Sequence, residues 1–137
     1  MLPREFVDTK ILVYTVTTDP KSVRAAAILN RRCIISVQAL NEFVNVGRRR
    51  LGMSWDQIDA ALADFRFLCN PTLVEIDDGI HEDAVRIMKR FGFRIFDALM
   101  VAAALKSGCS IFWSQDLQSG MLIDDRLQIC NPFLAQL

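Results

Sequence analysis

The chain has 137 residues, of which 52% are hydrophobic, and nine are Phe. That composition excludes a disordered chain and provides a sizeable core for one domain of ordinary size. No apolar run reaches the roughly 18 to 20 residues of a membrane span, and Met1-Leu2-Pro3-Arg4-Glu5 has no signal-peptide pattern, so no membrane association and a cytoplasmic location are expected. Sixteen basic and sixteen acidic side chains give a formal net charge of +0, which excludes a protein held to nucleic acid by bulk charge while leaving room for a local basic patch.

Phe6-Val7-Asp8 is a short apolar run ending in an acid, and it reads as a first strand. From Thr9 to Val16, Ile11, Leu12 and Tyr14 fall at helical spacing. Asp19-Pro20 opens a second helix that runs to about Asn30. Cys33-Ile34-Ile35 reads as a second strand, and Ser36 as the cap of a helix with Val37, Leu40, Phe43 and Val44 along one stripe. Glu42 and Asn45 lie beside that stripe, Arg48-Arg49-Arg50 closes the helix, and Gly52 ends it. Ser54 starts the next helix, with Ile58, Ala61, Leu62 and Phe65 inward.

Thr72 to Ile76 reads as a third strand, and Asp77 or Asp78 caps a helix broken at Gly92. Arg94-Ile95-Phe96-Asp97 then leads into a helix from Ile95 to Lys106 that is apolar on every side after Asp97, so it belongs in the interior. Gly108 stops it, Ser110 to Trp113 reads as a fourth strand, Gln115 to Gly120 as a polar loop, and Leu127 to Cys130 as the last strand. Short buried strands alternating with helices predict a parallel α/β sheet in three layers. Cys33, Cys69, Cys109 and Cys130 each sit in or beside apolar runs without CxxC spacing, so they read as small buried hydrophobes.

Sites in parallel sheets form beyond the carboxyl ends of the strands. Asp8 falls at such an end, Asp116 just past another, Glu42 on the second turn of the helix after strand two, and Asp97 at the head of the buried helix. Each acid alone has an ordinary reading: a helix cap for Asp8 and Asp97, a solvated face for Glu42, an Asx-turn for Asp116. Together they repel one another, at about 4 kcal/mol for a pair ~4 Å apart in an effective dielectric of 20. Protonation or a shared divalent cation relieves that repulsion, and an all-oxygen ligand set favours Mg²⁺ or Mn²⁺.

At these residues the sequence resembles the PIN-domain nucleases, and within them the VapC-type toxins of bacterial toxin–antitoxin pairs. The matching stretches are Phe6-Val7-Asp8-Thr9 with Ile11-Leu12-Val13-Tyr14, Ser36 with Asn41-Glu42-Phe43, Arg94 to Ala104, and Trp113-Ser114-Gln115-Asp116-Leu117-Gln118-Ser119-Gly120. They extend over essentially the whole chain, 1–137. The resemblance implies a three-layer α/β/α domain with a five-stranded parallel sheet and Mg²⁺- or Mn²⁺-dependent endoribonuclease activity. It implies that Asp8, Glu42, Asp97 and Asp116 are the catalytic metal ligands, with Thr9 and Ser114 supporting them. It further implies an RNA substrate, a homodimer and a cognate antitoxin whose tail enters the active-site groove. Gln115 departs from the pattern, because many relatives carry a second acid there.

RNA would be gripped by Arg48, Arg49 and Arg50 with Arg94, or by Arg86, Lys89, Arg90 and Arg94; a solvated helix face is the competing reading of these side chains. An apolar dimer contact is expected around Trp55 and Phe65. A phosphatase with Asp8 as nucleophile requires a second Asp two positions on, where Lys10 stands. A receiver-like signalling module requires an acidic pair before its phospho-accepting Asp, and Glu5 is the only acid there. The remaining alternative is a catalytically inactive RNA-binding or protein-interaction module of the same fold.

Overall fold

The computed structural model describes residues 3–134. In chain order these form β1 (Glu5–Val7), α1 (Thr9–Thr15), α2 (Lys21–Leu29), β2 (Ile35–Ser36), α3 (Val37–Arg49), α4 (Trp55–Leu68), β3 (Leu73–Val74), α5 (Asp78–Phe91), α6 (Ile95–Lys106), β4 (Ile111–Trp113), β5 (Leu122–Ile123) and β6 (Leu127–Cys130). No helix among them is long and apolar enough to cross a membrane.

The α/β class holds, but the sheet differs from the expected five parallel strands. One ladder has four strands in the order β1-β4-β6-β5, and β2 pairs with β3 in a ladder of two. A single parallel bridge, Phe6 to Ile34, ties the two ladders together. Strands β2 and β3 are short for a local reason. Ser36 turns out of β2 to cap α3, its hydroxyl accepting from the Ala39 N–H at 3.1 Å, and only Leu73–Val74 of the expected 72–76 strand has a partner. Strand β5, which runs antiparallel to β6, is an addition to the expected strands. It is folded back by Asp124 and Asp125, both in the left-handed region at φ 52° and 56°, where Asp is better tolerated than most residues.

From β1 the chain steps outward through β2 to β3, then returns to place β4 and β6 on the other side of β1. Right-handed crossovers therefore send the two groups of helices to opposite faces. The helix contacts agree, since α1 packs on α2 and α3, and α5 packs on α6. The point where the strand order reverses lies between β1 and β4, which pair in parallel with Val7 opposite Trp113. Phe6 and Phe112 stack across this junction at 5.4 Å and are fully buried.

Helix α6 is interior as its composition demands: every residue from Ala98 to Leu105 is buried. Gly92, at φ 76°, ends α5 in the left-handed conformation that favours glycine. The four cysteines are free thiols; Cys33, Cys69 and Cys109 are the expected small buried hydrophobes, with burial pushing Cys33 up to about 12, whereas Cys130 is only partly buried. The apolar surface expected around Trp55 and Phe65 is only half present. Phe65 is buried edge-to-face on Phe43 at 4.8 Å, whereas Trp55 is exposed beneath the Arg48 guanidinium.

Helix α4 begins with a capping box, in which Ser54 Oγ accepts from the Gln57 N–H at 3.1 Å and Gln57 Oε1 accepts from the Ser54 N–H at 2.8 Å. Ser54→Ala should lower the unfolding free energy by about 1 kcal/mol. Urea unfolding with an unchanged m-value would register that loss; an unchanged midpoint would mean the box contributes nothing.

Candidate active site

Asp8 follows β1 directly and occupies the N-cap position of α1, without a capping hydrogen bond from its side chain. Its backbone N–H donates to the Trp113 carbonyl at 3.1 Å, which fixes the end of β1 against the end of β4. The next residue after β4, Ser114, is fully buried and donates its hydroxyl to Asp8 Oδ2 at 3.2 Å. Asp8 is 5% exposed, and among the described residues it has no ion-pair partner. Burial is the main reason its pKa rises from 3.8 to about 7; nearby Asp97, Asp116 and Glu42 add to the rise, and the Ser114 hydrogen bond opposes it.

Asp97 is not the cap of α6. Arg94 holds that position, and Asp97 lies in the first turn, half-buried. Burial followed by the charges of Asp116 and Glu42 raises its pKa, while Arg94 and Lys10 oppose the rise. The negative charge at the head of α6 suits the helix dipole, but no other contact is present to hold it among the described residues.

Glu42 and Asp116 are held differently. Thr9, itself buried, donates its hydroxyl to Glu42 Oε2, and Gln38 Nε2 approaches Glu42 Oε1 at 3.4 Å. Asp116 receives Lys10 Nζ at 3.1 and 3.4 Å on its two oxygens. Gln115 is drawn off by the Tyr14 hydroxyl, which donates to its Oε1 at 2.7 Å.

Asp8, Glu42, Asp97 and Asp116 therefore line a single cleft, together with Thr9, Lys10 and Arg50. They face one another without closing up: among the described residues, no three His, Cys, Asp or Glu side chains stand close enough to hold a metal ion. The donor chemistry nonetheless fits a hard divalent cation. All four groups are carboxylates, and the most buried of them is strongly destabilised as an anion, with no ion-pair partner among the described residues. Gathering them would require Glu42 to turn from Thr9 and Asp116 from Lys10.

The expected basic residues divide. Arg50 lines the cleft and Arg94 acts electrostatically on Asp97. Arg48 is engaged elsewhere, donating to the Met53 carbonyl at 2.7 Å and lying over Trp55 at 4.5 Å. Arg49 is exposed and is not part of the cleft lining. Arg86 and Arg90 both reach Asp124 in the β5–β6 turn, so they belong to another face of the molecule. Lys10 is the cleft residue that sequence reasoning does not single out, because position 10 stands there only as the mismatch to a phosphatase motif. Its signal is its place in the first turn of α1, two residues from Asp8.

A family model described as the PIN domain matches residues 6–118. No curated protein sequence matches significantly. Among solved structures, the chain is similar to Mycobacterium tuberculosis VapC20, described as a sarcin-ricin loop cleaving toxin, with 21% identity, a TM-score of 0.67, and 82% of this chain and 89% of that one covered. It is similar to a toxin–antitoxin complex from Klebsiella pneumoniae at 16% identity and TM-score 0.71, covering 95% and 98% of the two chains. It is also similar to DNA-bound VapBC from Salmonella typhimurium at 16% identity and TM-score 0.68, covering 96% and 99%. At such identities, these likenesses establish a shared fold.

Proposed function

The chain belongs to the PIN-domain family, and from that premise we propose that it is a metal-dependent endoribonuclease acting in the cytoplasm as the toxin of a toxin–antitoxin pair. The observation that carries this reading is the meeting of four carboxylates, Asp8, Glu42, Asp97 and Asp116, around one cleft at the point where the strand order reverses. Asp8 and Asp97 would hold a Mg²⁺ or Mn²⁺ ion, with Glu42 lining the same cleft and Asp116 held there by Lys10. When bound, such an ion polarises a phosphodiester and promotes attack by water on phosphorus.

The chain's own residues have definable parts in this. Ser114 orients Asp8 through its donated hydrogen bond, and Thr9 holds Glu42 at the rim. Arg50, exposed at the cleft, meets the RNA phosphates, with Arg94 beside Asp97. An antitoxin partner is supported by the structural neighbours, several of which are toxin–antitoxin complexes. A homodimer is proposed through exposed apolar surface that includes Trp55, at 57% exposure.

The test is cleavage of a mixed RNA pool by the purified protein with Mg²⁺ or Mn²⁺, with and without EDTA. Cuts that need the metal support the proposal. Metal binding with no cleavage of any pool would favour the inactive module of the same fold. On the binding side, Arg50→Ala should weaken RNA affinity and reduce the slope of log K against log[salt] by about 1. An unchanged slope would move the RNA to another surface.

A further inference from the structure

Two of the four cleft acids already have partners from the chain, and the two partners differ in kind. Glu42 is met by neutral donors, Thr9 and Gln38. Asp116 is met by a full positive charge, Lys10, which spans both carboxylate oxygens at 3.1 and 3.4 Å. Its backbone position is set by α1, where Lys10 stands in the first turn, two residues after Asp8. Arg50 adds a second positive charge to the lining. Among the described residues, neither Asp8 nor Asp97 has an ion-pair partner of this kind.

We propose that Lys10 is a built-in cation that takes the place of a second metal ion at Asp116, so that the cleft binds a single divalent ion through Asp8 and Asp97. This inference rests on the metal-dependent reading of the cleft. A tethered ammonium neutralises Asp116 without the dehydration cost of a second Mg²⁺, which gives up its waters reluctantly. Gln115, next to Asp116, adds no charge to the cleft: its side chain is neutral and is turned to Tyr14.

The experiment counts Mn²⁺ bound per chain, by the electron paramagnetic resonance signal of the free ion and by calorimetry, without RNA. Wild type, Lys10→Met, Lys10→Arg and Asp97→Asn are compared. Lys10 is half-exposed, so its variants are expected to fold, and circular dichroism verifies this. Wild type and Lys10→Arg should bind one ion and Lys10→Met two. Two ions in wild type would overturn the proposal. So would a Lys10→Met protein that still binds one ion, whether at unchanged or greater affinity, since Lys10 would then only repel the resident cation. If wild type binds one ion that Asp97→Asn loses, the metal-dependent reading stands whatever Lys10 does. If wild type binds none, both fall.

Discussion

Asp97→Asn is expected to lower metal-dependent RNA cleavage by more than about 100-fold while leaving the fold intact. Residues that only orient a metal ligand typically contribute 10- to 100-fold in affinity or activity, so loss of a ligand itself should exceed that range. Asn keeps the size of Asp and removes its charge. The structure gives Asp97 no job that Asn would fail at: Arg94 occupies the cap position of α6, and the buried stretch Ala98 to Leu105 begins only after it. Neutralisation forfeits a favourable dipole interaction of about 0.3–1 kcal/mol in the first turn. It also removes repulsion with Asp116 and Glu42, which acts in the opposite direction. Stability should therefore change little. The check is the initial rate of RNA cleavage in Mn²⁺ for both proteins over an EDTA background, beside their urea unfolding curves. Activity within tenfold of wild type would remove Asp97 from the ligand set and leave it an ordinary first-turn acid.

The features legible in the amino-acid sequence are those governed by local rules. The all-apolar stretch from Ala98 to Leu105 marks α6 as interior, and Ser36 and Ser54 mark the starts of α3 and α4 by the capping chemistry found there. Asp8 and Asp116 belong to one edge because both follow apolar runs that pair as parallel strands. The rest depends on partners distant in sequence. Whether residues 72–76 pair along their length or only at Leu73–Val74 is decided by β2, which Ser36 cuts short. Strand β5 carries only two ladder residues, too few for alternation to register. The cleft's electrostatics are the least legible: nothing local says that Lys10 reaches Asp116, 106 positions away, or that Tyr14 reaches Gln115. The arginines show the same limit, since Arg48 and Arg50 are two residues apart yet one lies over Trp55 and the other lines the cleft.

Asp8→Asn should stabilise the protein in EDTA at pH 8 by roughly 2–4 kcal/mol and hardly at all near pH 4. The reason is proton linkage. The folded-state pKa of Asp8 is about 7, against 3.8 for an ordinary aspartate. Below about pH 4 the group is protonated in both states and costs nothing. Between about pH 4 and 7 the folded protein holds a proton that the unfolded chain has released, so stability falls as pH rises. Above about pH 7 both states are ionised and the full cost remains. The rise from 3.8 to about 7, at about 1.36 kcal/mol per tenfold change in proton affinity, sets the upper end of the range. Asn cannot ionise, yet its carbonyl can still accept from Ser114, so the variant escapes the penalty without orphaning that buried hydroxyl. A bound divalent cation should do for wild type what the substitution does for the variant. Saturating Mn²⁺ should therefore raise the wild-type midpoint at pH 8 and act much less on Asp8→Asn. Denaturation curves for the two proteins from pH 4 to pH 8 decide the matter. If they stay parallel across that window, Asp8 is ionised at ordinary pH in the folded state, and burial beside three other carboxylates does not govern this cleft.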